Sequence, residues 1–323
     1  MVYFLRTLSS SCHCVQKQLS TRSPAPLKYL RYLTLATACL CAFSSAAQTV
    51  YKYQDASGRW HFTDKAPQQG KHEQVKLSSS RDSQDKPSIT SKIEDNVTIL
   101  TAVNPWRGPV QFLLQIRKTG EYQRDSILVE ADSTRHFKIQ GQVDYQYYYI
   151  PGDPEAKPDY TVIYSPPFAS GESYMISQGF NGQFSHMEEP NTYAVDIAMP
   201  VGSYIHAARG GVVMAVEENY SIGSAAFAYF LDKANFVMVL HDDGTTGMYA
   251  HILQGSLQVR PGDRVERGQA LARSGSTGFS TGPHLHFVVR RNVGLDLQSL
   301  RFRMQDAEGN DYPIRERTRM VGW

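Results

Sequence analysis

The chain has 323 residues, 41% of them apolar and 20% charged, with a formal net charge of +2. Such totals suit one large globular domain or two to three small ones and exclude no fold class by themselves. Their distribution excludes more. Residues 1–47 carry Arg6, Lys17, Arg22, Lys28 and Arg31 with no acidic residue, then an apolar run from Tyr32 to Phe43, then Ser45-Ala46-Ala47. This reads as a secretory signal peptide with a long basic leader, cleaved after Ala47, and its apolar run is short for a membrane span. Without it, 28 basic residues face 31 acidic ones, so the mature chain is near −3 and nucleic acid loses electrostatic support as a partner. Cys12, Cys14, Cys39 and Cys41 all lie in the leader. The mature protein is therefore expected to work without disulfides, a thiol nucleophile or thiolate metal ligands. It is expected in the periplasm or outside the cell, with no integral membrane segment.

The rest of the chain reads as mostly β. Residues 50–72, "VYKYQDASGRWHFTDKAPQQGKH", suggest a short hairpin with aromatic strands. Through its pattern YK-x-x-D-x-x-G followed by Thr63-Asp64, the segment 48–77 resembles the small DUF4124 module. Residues 78–95 have a polar, linker-like composition. Residues 96–165 then alternate in "PVQFLLQI", "DSILVEA" and "VDYQYYYI", which suggests a small β-sandwich. Val143, Tyr145, Tyr147 and Tyr149 share one strand face, expected to be core rather than a platform for stacking sugars. From 166 to 300, short strands such as "GGVVMAVEE", "ANFVMVLH" and "HLHFVVRR" alternate with glycine-rich turns, giving an antiparallel β domain. Residues 301–323 read as a C-terminal β extension.

The chemistry concentrates in "GFSTGPHLHF", residues 278–287. Ser280 sits in a G-x-S-x-G frame, but a nucleophile elbow needs a helix after it and acid and histidine partners in order. Pro283 and a strand pattern follow instead, so the match is attributed to chance. His284 and His286 are two apart in a strand and point to one face, which suits a metal site. "MYAHI" places His251 at the end of another strand, and "YAVDIAMPVG" places Asp196 in an apolar strand, a costly position without a partner. His206 and His241 are expected to be structural, and His61, His72 and His136 belong to other modules.

Residues 173–290 resemble the M23 (lysostaphin-type, LytM-like) zinc metallopeptidases through "SQGFNGQFSH", "YAVDIAMPVGSYIHAARGGVV", "MYAHI", "VRPGDRVERGQALARSGSTG" and "GPHLHF". The resemblance implies that Asp196 and His286 are Zn2+ ligands and that His251 and His284 are a catalytic pair off the metal. The family's usual first ligand lies four residues before the aspartate, where this chain has Thr192. His186, ten residues before Asp196, is the expected substitute. Two imidazoles and one carboxylate leave a fourth position open, as in catalytic rather than structural zinc sites.

The implied function is a secreted zinc endopeptidase that hydrolyses peptide bonds in peptidoglycan stems or cross-links. Other envelope proteins are further expected partners. The alternative is a zinc-free, degenerate M23 module that binds cell wall or activates another hydrolase. A lipoyl-type carrier reading, prompted by Lys233 in "LDKANF" and by "VRPGDRVERG", would leave four histidines idle.

Overall fold

The computed structural model describes residues 86–118 and 121–322, and the backbone of three short strands nearer the N terminus. Those strands, β1 (Thr49–Gln54), β2 (Trp60–Thr63) and β3 (His72–Lys76), form an antiparallel sheet with β1 in the middle. The expected hairpin is β1–β2, and β3 is added to its other edge. The leader, residues 1–47, lies outside the described residues. Among the described residues no helix is long and apolar enough to cross a membrane, and the single helical element is the short 3-10 turn Ala228–Phe230.

Six strands follow: β4 (Ser88–Glu94), β5 (Val97–Asn104), β6 (Val110–Lys118), β7 (Glu121–Val129), β8 (Ser133–Gln140) and β9 (Asp144–Pro151). They make two three-stranded sheets, β4-β5-β8 and β7-β6-β9. Alternation along β5 and β6 turns Leu100, Ala102, Phe112 and Leu114 into a common core. Tyr147 and Tyr149 are buried in it, with Trp106 edge-on to Tyr149 at 5.6 Å. The tyrosine face is thus core. One boundary differs from expectation: the composition of 78–95 predicts a linker, yet 88–94 is strand β4, paired along its whole length with β5. It is an edge strand in which Ile89 alone is buried, so its sequence is as polar as a linker's.

The C-terminal region contains β10 (Ile163–Tyr164), β11 (Ser173–Gln178), β12 (Ala194–Ala198), β13 (Tyr204–His206), β14 (Gly211–Glu217), β15 (Phe236–Leu240), β16 (Thr246–Ala250) and β17 (Arg264–Val265). It continues through β18 (Ala270–Arg273), β19 (Leu285–Asn292), β20 (Leu297–Ser299), β21 (Arg303–Met304) and β22 (Arg319–Val321). Nine of these form one sheet in the order β17-β14-β15-β16-β19-β12-β11-β22, with β20 beside β19.

Period-two alternation assigns the two faces of this sheet. Val195, Ile197, Val239, Tyr249, Phe287 and Val289 point into a core shared with Ile205 of β13 and Leu271 of β18. On the opposite face, Ala194, Met238, Met248, Ala250 and Val288 pack against Leu100, Trp106 and Phe112 of the preceding strands. Asn292 Nδ2 reinforces this junction by donating to Gln111 Oε1 (3.0 Å) and Gly152 O (2.8 Å). Residues 86–322 therefore form one compact unit, with no separation near residue 165.

Candidate metal centre

The same alternation that puts Ala194 and Val288 under the preceding strands puts Asp196 and His286 on that face too, toward the strand ends. The two residues are directly opposite in the β12–β19 pairing, and His286 is also opposite Ala250 at the end of β16. His251 follows at once, in a left-handed backbone conformation (φ 66°) that takes the chain off the strand. His284 immediately precedes β19. His186 arrives from a different direction, on the loop between β11 and β12.

Asp196 is the hub. Its Oδ1 accepts a hydrogen bond from His286 Nδ1 (2.8 Å) and lies 3.3 Å from His186 Nε2 and 3.8 Å from His284 Nε2. Its Oδ2 accepts from Gln178 Nε2 at 2.8 Å. Burial alone would raise the carboxyl's pKa; the His186 and His286 imidazoles beside it, with His284 nearby, hold it well below the usual carboxylate range. His286, buried, is pushed down to about 4, and His251 falls well below the ordinary histidine value through burial and the neighbouring His284 and His286.

The tautomers are fixed by backbone carbonyls. His186 Nδ1–H donates to Gly179 O (3.0 Å), His251 Nδ1–H to Thr277 O (2.6 Å) and His284 Nδ1–H to Gly282 O (2.8 Å). Each neutral ring is left with a lone pair on Nε2. For His186 that nitrogen is buried, makes no hydrogen bond and sits 3.3 Å from a carboxylate oxygen, an arrangement that is repulsive unless a proton or a metal cation lies between them. His286 Nε2 is likewise buried without a partner. Ligand atoms of His186, Asp196 and His286 all lie within 4.8 Å of one another. An N, O, N donor set in which the Gly179 carbonyl orients one imidazole fits a metal ion such as zinc.

His251 and His284 stand beside this group, their rings 4.5 Å apart. A groove of about 710 Å³ opens over Asp196, His251, His284 and His286 but not over the enclosed His186, walled by residues 178–185, by 279–284 and by Arg315 and Glu316. Phe184 and Phe279 stack across one side with centroids 6.1 Å apart. Ser280 spends its hydroxyl inside the turn, donating to Gly282 O at 2.7 Å and bonded to Ser276 Oγ at 3.0 Å. It has no elbow helix. His241 is a core group: its Nδ1–H donates to Gly210 O (2.9 Å), and burial pushes its pKa down to about 4. His206 is half-buried beside Tyr204.

Two participants escaped sequence reasoning. Gln178 accepts from the Phe184 and Ser185 N–H groups while donating to Ser185 Oγ and Asp196 Oδ2. Arg290 is buried on β19 and holds Pro190 and Asn191.

The profile of peptidase family M23 matches residues 190–297. That stretch holds Asp196, His251, His284 and His286. The M23 match opens after His186 and includes Thr192. The DUF4124 profile, a domain of unknown function, matches residues 37–88. Over 128 residues the chain is 32% identical to the peptidoglycan DD-endopeptidase ShyB of Vibrio cholerae, covering 38% of this chain and 26% of that protein. Over 104 residues it is 38% identical to the glycyl-glycine endopeptidase ALE-1 of Staphylococcus capitis, covering 32% and 25%. The M23 similarity thus spans about a quarter of each of these relatives. A crystal structure of a zinc-containing peptidase from Vibrio cholerae aligns over 78% of this chain and 77% of that one, at 15% identity and a TM-score of 0.32.

Proposed function

We propose that this protein is an extracytoplasmic zinc endopeptidase that cleaves peptide bonds in peptidoglycan, with His186, Asp196 and His286 as metal ligands. The observation that carries the reading is the unpaired Nε2 of His186 facing Asp196 Oδ1 across 3.3 Å, which calls for a proton or a metal cation between them. The substrate class comes from the relatives named as peptidoglycan and glycyl-glycine endopeptidases.

Zinc, when bound, supplies Lewis-acid polarisation of the scissile carbonyl and acidifies water to a pKa of about 7. The chain's own groups do the rest. His251 and His284 each donate Nδ1–H to a carbonyl, so their Nε2 atoms remain free to accept a proton from the attacking water or to hydrogen-bond the developing oxyanion once protonated. Gln178 occupies Asp196 Oδ2, leaving Oδ1 turned toward the three imidazoles. The groove admits an extended peptide, and Phe184 and Phe279 offer it an apolar wall.

Elemental analysis of residues 48–323 tests the proposal. One zinc per chain is expected in the wild type and none in His186→Ala, together with wild-type digestion of peptidoglycan. A folded wild-type protein that takes up no zinc would instead be a binding or activating module.

A further inference from the structure

Arg290 is 1% exposed and has no carboxylate within salt-bridge distance among the described residues. Glu189, whose charge acts on it from beyond salt-bridge distance, uses its Oε2 to accept from Ser299 N at 2.7 Å. Burial pushes the guanidinium's pKa down to about 10, so it stays charged at neutral pH. A buried cation with no counter-ion in direct contact costs several kcal/mol, and an apolar side chain of similar volume is often more stable in such a place. The residue is therefore present for what it holds.

What it holds is one root of the β11–β12 loop. Nε donates to Pro190 O at 2.9 Å, Nη2 donates to Asn191 Oδ1, and Nη1 points at Met248 Sδ at 3.0 Å. His186 lies on this loop, four residues before Pro190. Gln178, at the other root, ties down the stretch just before His186 through the Phe184 and Ser185 N–H groups. A ligand four residues from Asp196 would be placed by local backbone geometry. One ten residues away needs tertiary anchors, and Arg290 stands on the strand that carries His286, four residues further on the same face.

We propose that Arg290 is the positioning residue for His186, fixing the loop to β19 so that the third donor atom meets the two supplied by β12 and β19. This rests on the assignment of His186 as a ligand. Its test is zinc affinity, measured by competition with a chromophoric chelator, alongside denaturant stability of the metal-free protein, for wild type, His186→Ala, Arg290→Met and Arg290→Lys. Arg290→Met should bind zinc about 10–100-fold more weakly, the usual effect of losing a group that orients a ligand, with metal-free stability unchanged or raised. Arg290→Lys keeps the charge but not the fork that spans both acceptors, so it should fall between wild type and Arg290→Met, and it serves alone if Arg290→Met does not fold. Wild-type affinity in both Arg290 variants, with zinc lost in His186→Ala, overturns the inference. So does weakened binding matched by an equal loss of metal-free stability. Wild-type affinity in His186→Ala overturns the ligand assignment itself.

Discussion

One face of the large sheet is put to two uses. Where Ala194, Met248, Ala250 and Val288 emerge, the preceding β domain covers them and the face is ordinary apolar core. Two residues along the same strands, Asp196 and His286 emerge instead, and a groove takes the place of the covering domain. Strand alternation sets which face a side chain reaches, but what lies over that face decides whether a polar residue there is tolerable. The polar half survives because its members hydrogen-bond one another and the backbone, whereas the apolar half survives by excluding water.

The comparison can be broken from either side. Asp196→Ala should lower zinc from one per chain to about none and abolish turnover, measured by elemental analysis and peptidoglycan digestion; His251→Ala should keep zinc yet lose about 10²–10⁴-fold in rate. Val288→Asp would place an unpaired carboxylate in the covered half, and denaturant titration should show a loss of about 4 kcal/mol. A smaller effect sharpens the contrast between buried histidines in the site and buried histidines in the core. His241 keeps a pKa of about 4 in the fold against the ordinary 6.5 when unfolded. The unfolded chain therefore takes up the proton first, so stability is full above pH 6.5 and falls as pH drops toward 4. Between pH 7 and 5 that amounts to ~2 kcal/mol. Denaturation in chelator at both pH values measures it, and His241→Gln should flatten the slope.

Most of the centre was legible in the sequence because its chemistry is local. His284 and His286 share a strand face, and Asp196 stands out in an apolar strand. His186 was reachable only through resemblance to a family, since a ten-residue loop carries no spacing rule. Gln178 is an unremarked amide in "SQGF", and nothing about its neighbours marks it. Arg290 did leave a trace: it continues the alternation of His286 and Val288 on a face that should be buried, yet a pair of arginines at a strand end reads as solvated. In the fold, the tyrosine face was readable as core, but β4 was not readable as strand. An edge strand that buries one residue has almost no apolar pattern to show.

The pairing of Asp196 with His286 joins residues 90 positions apart in the chain. During synthesis, β12 is made long before β19, and β11, which bears Gln178, gains its outer neighbour only when residues 319–321 have been added. Pairings this distant form slowly, because loop closure must precede any contact that rewards it. The centre is thus a late event in the life of each molecule: a chain made only as far as His251 already holds His186, Asp196 and His251, and no assembled centre.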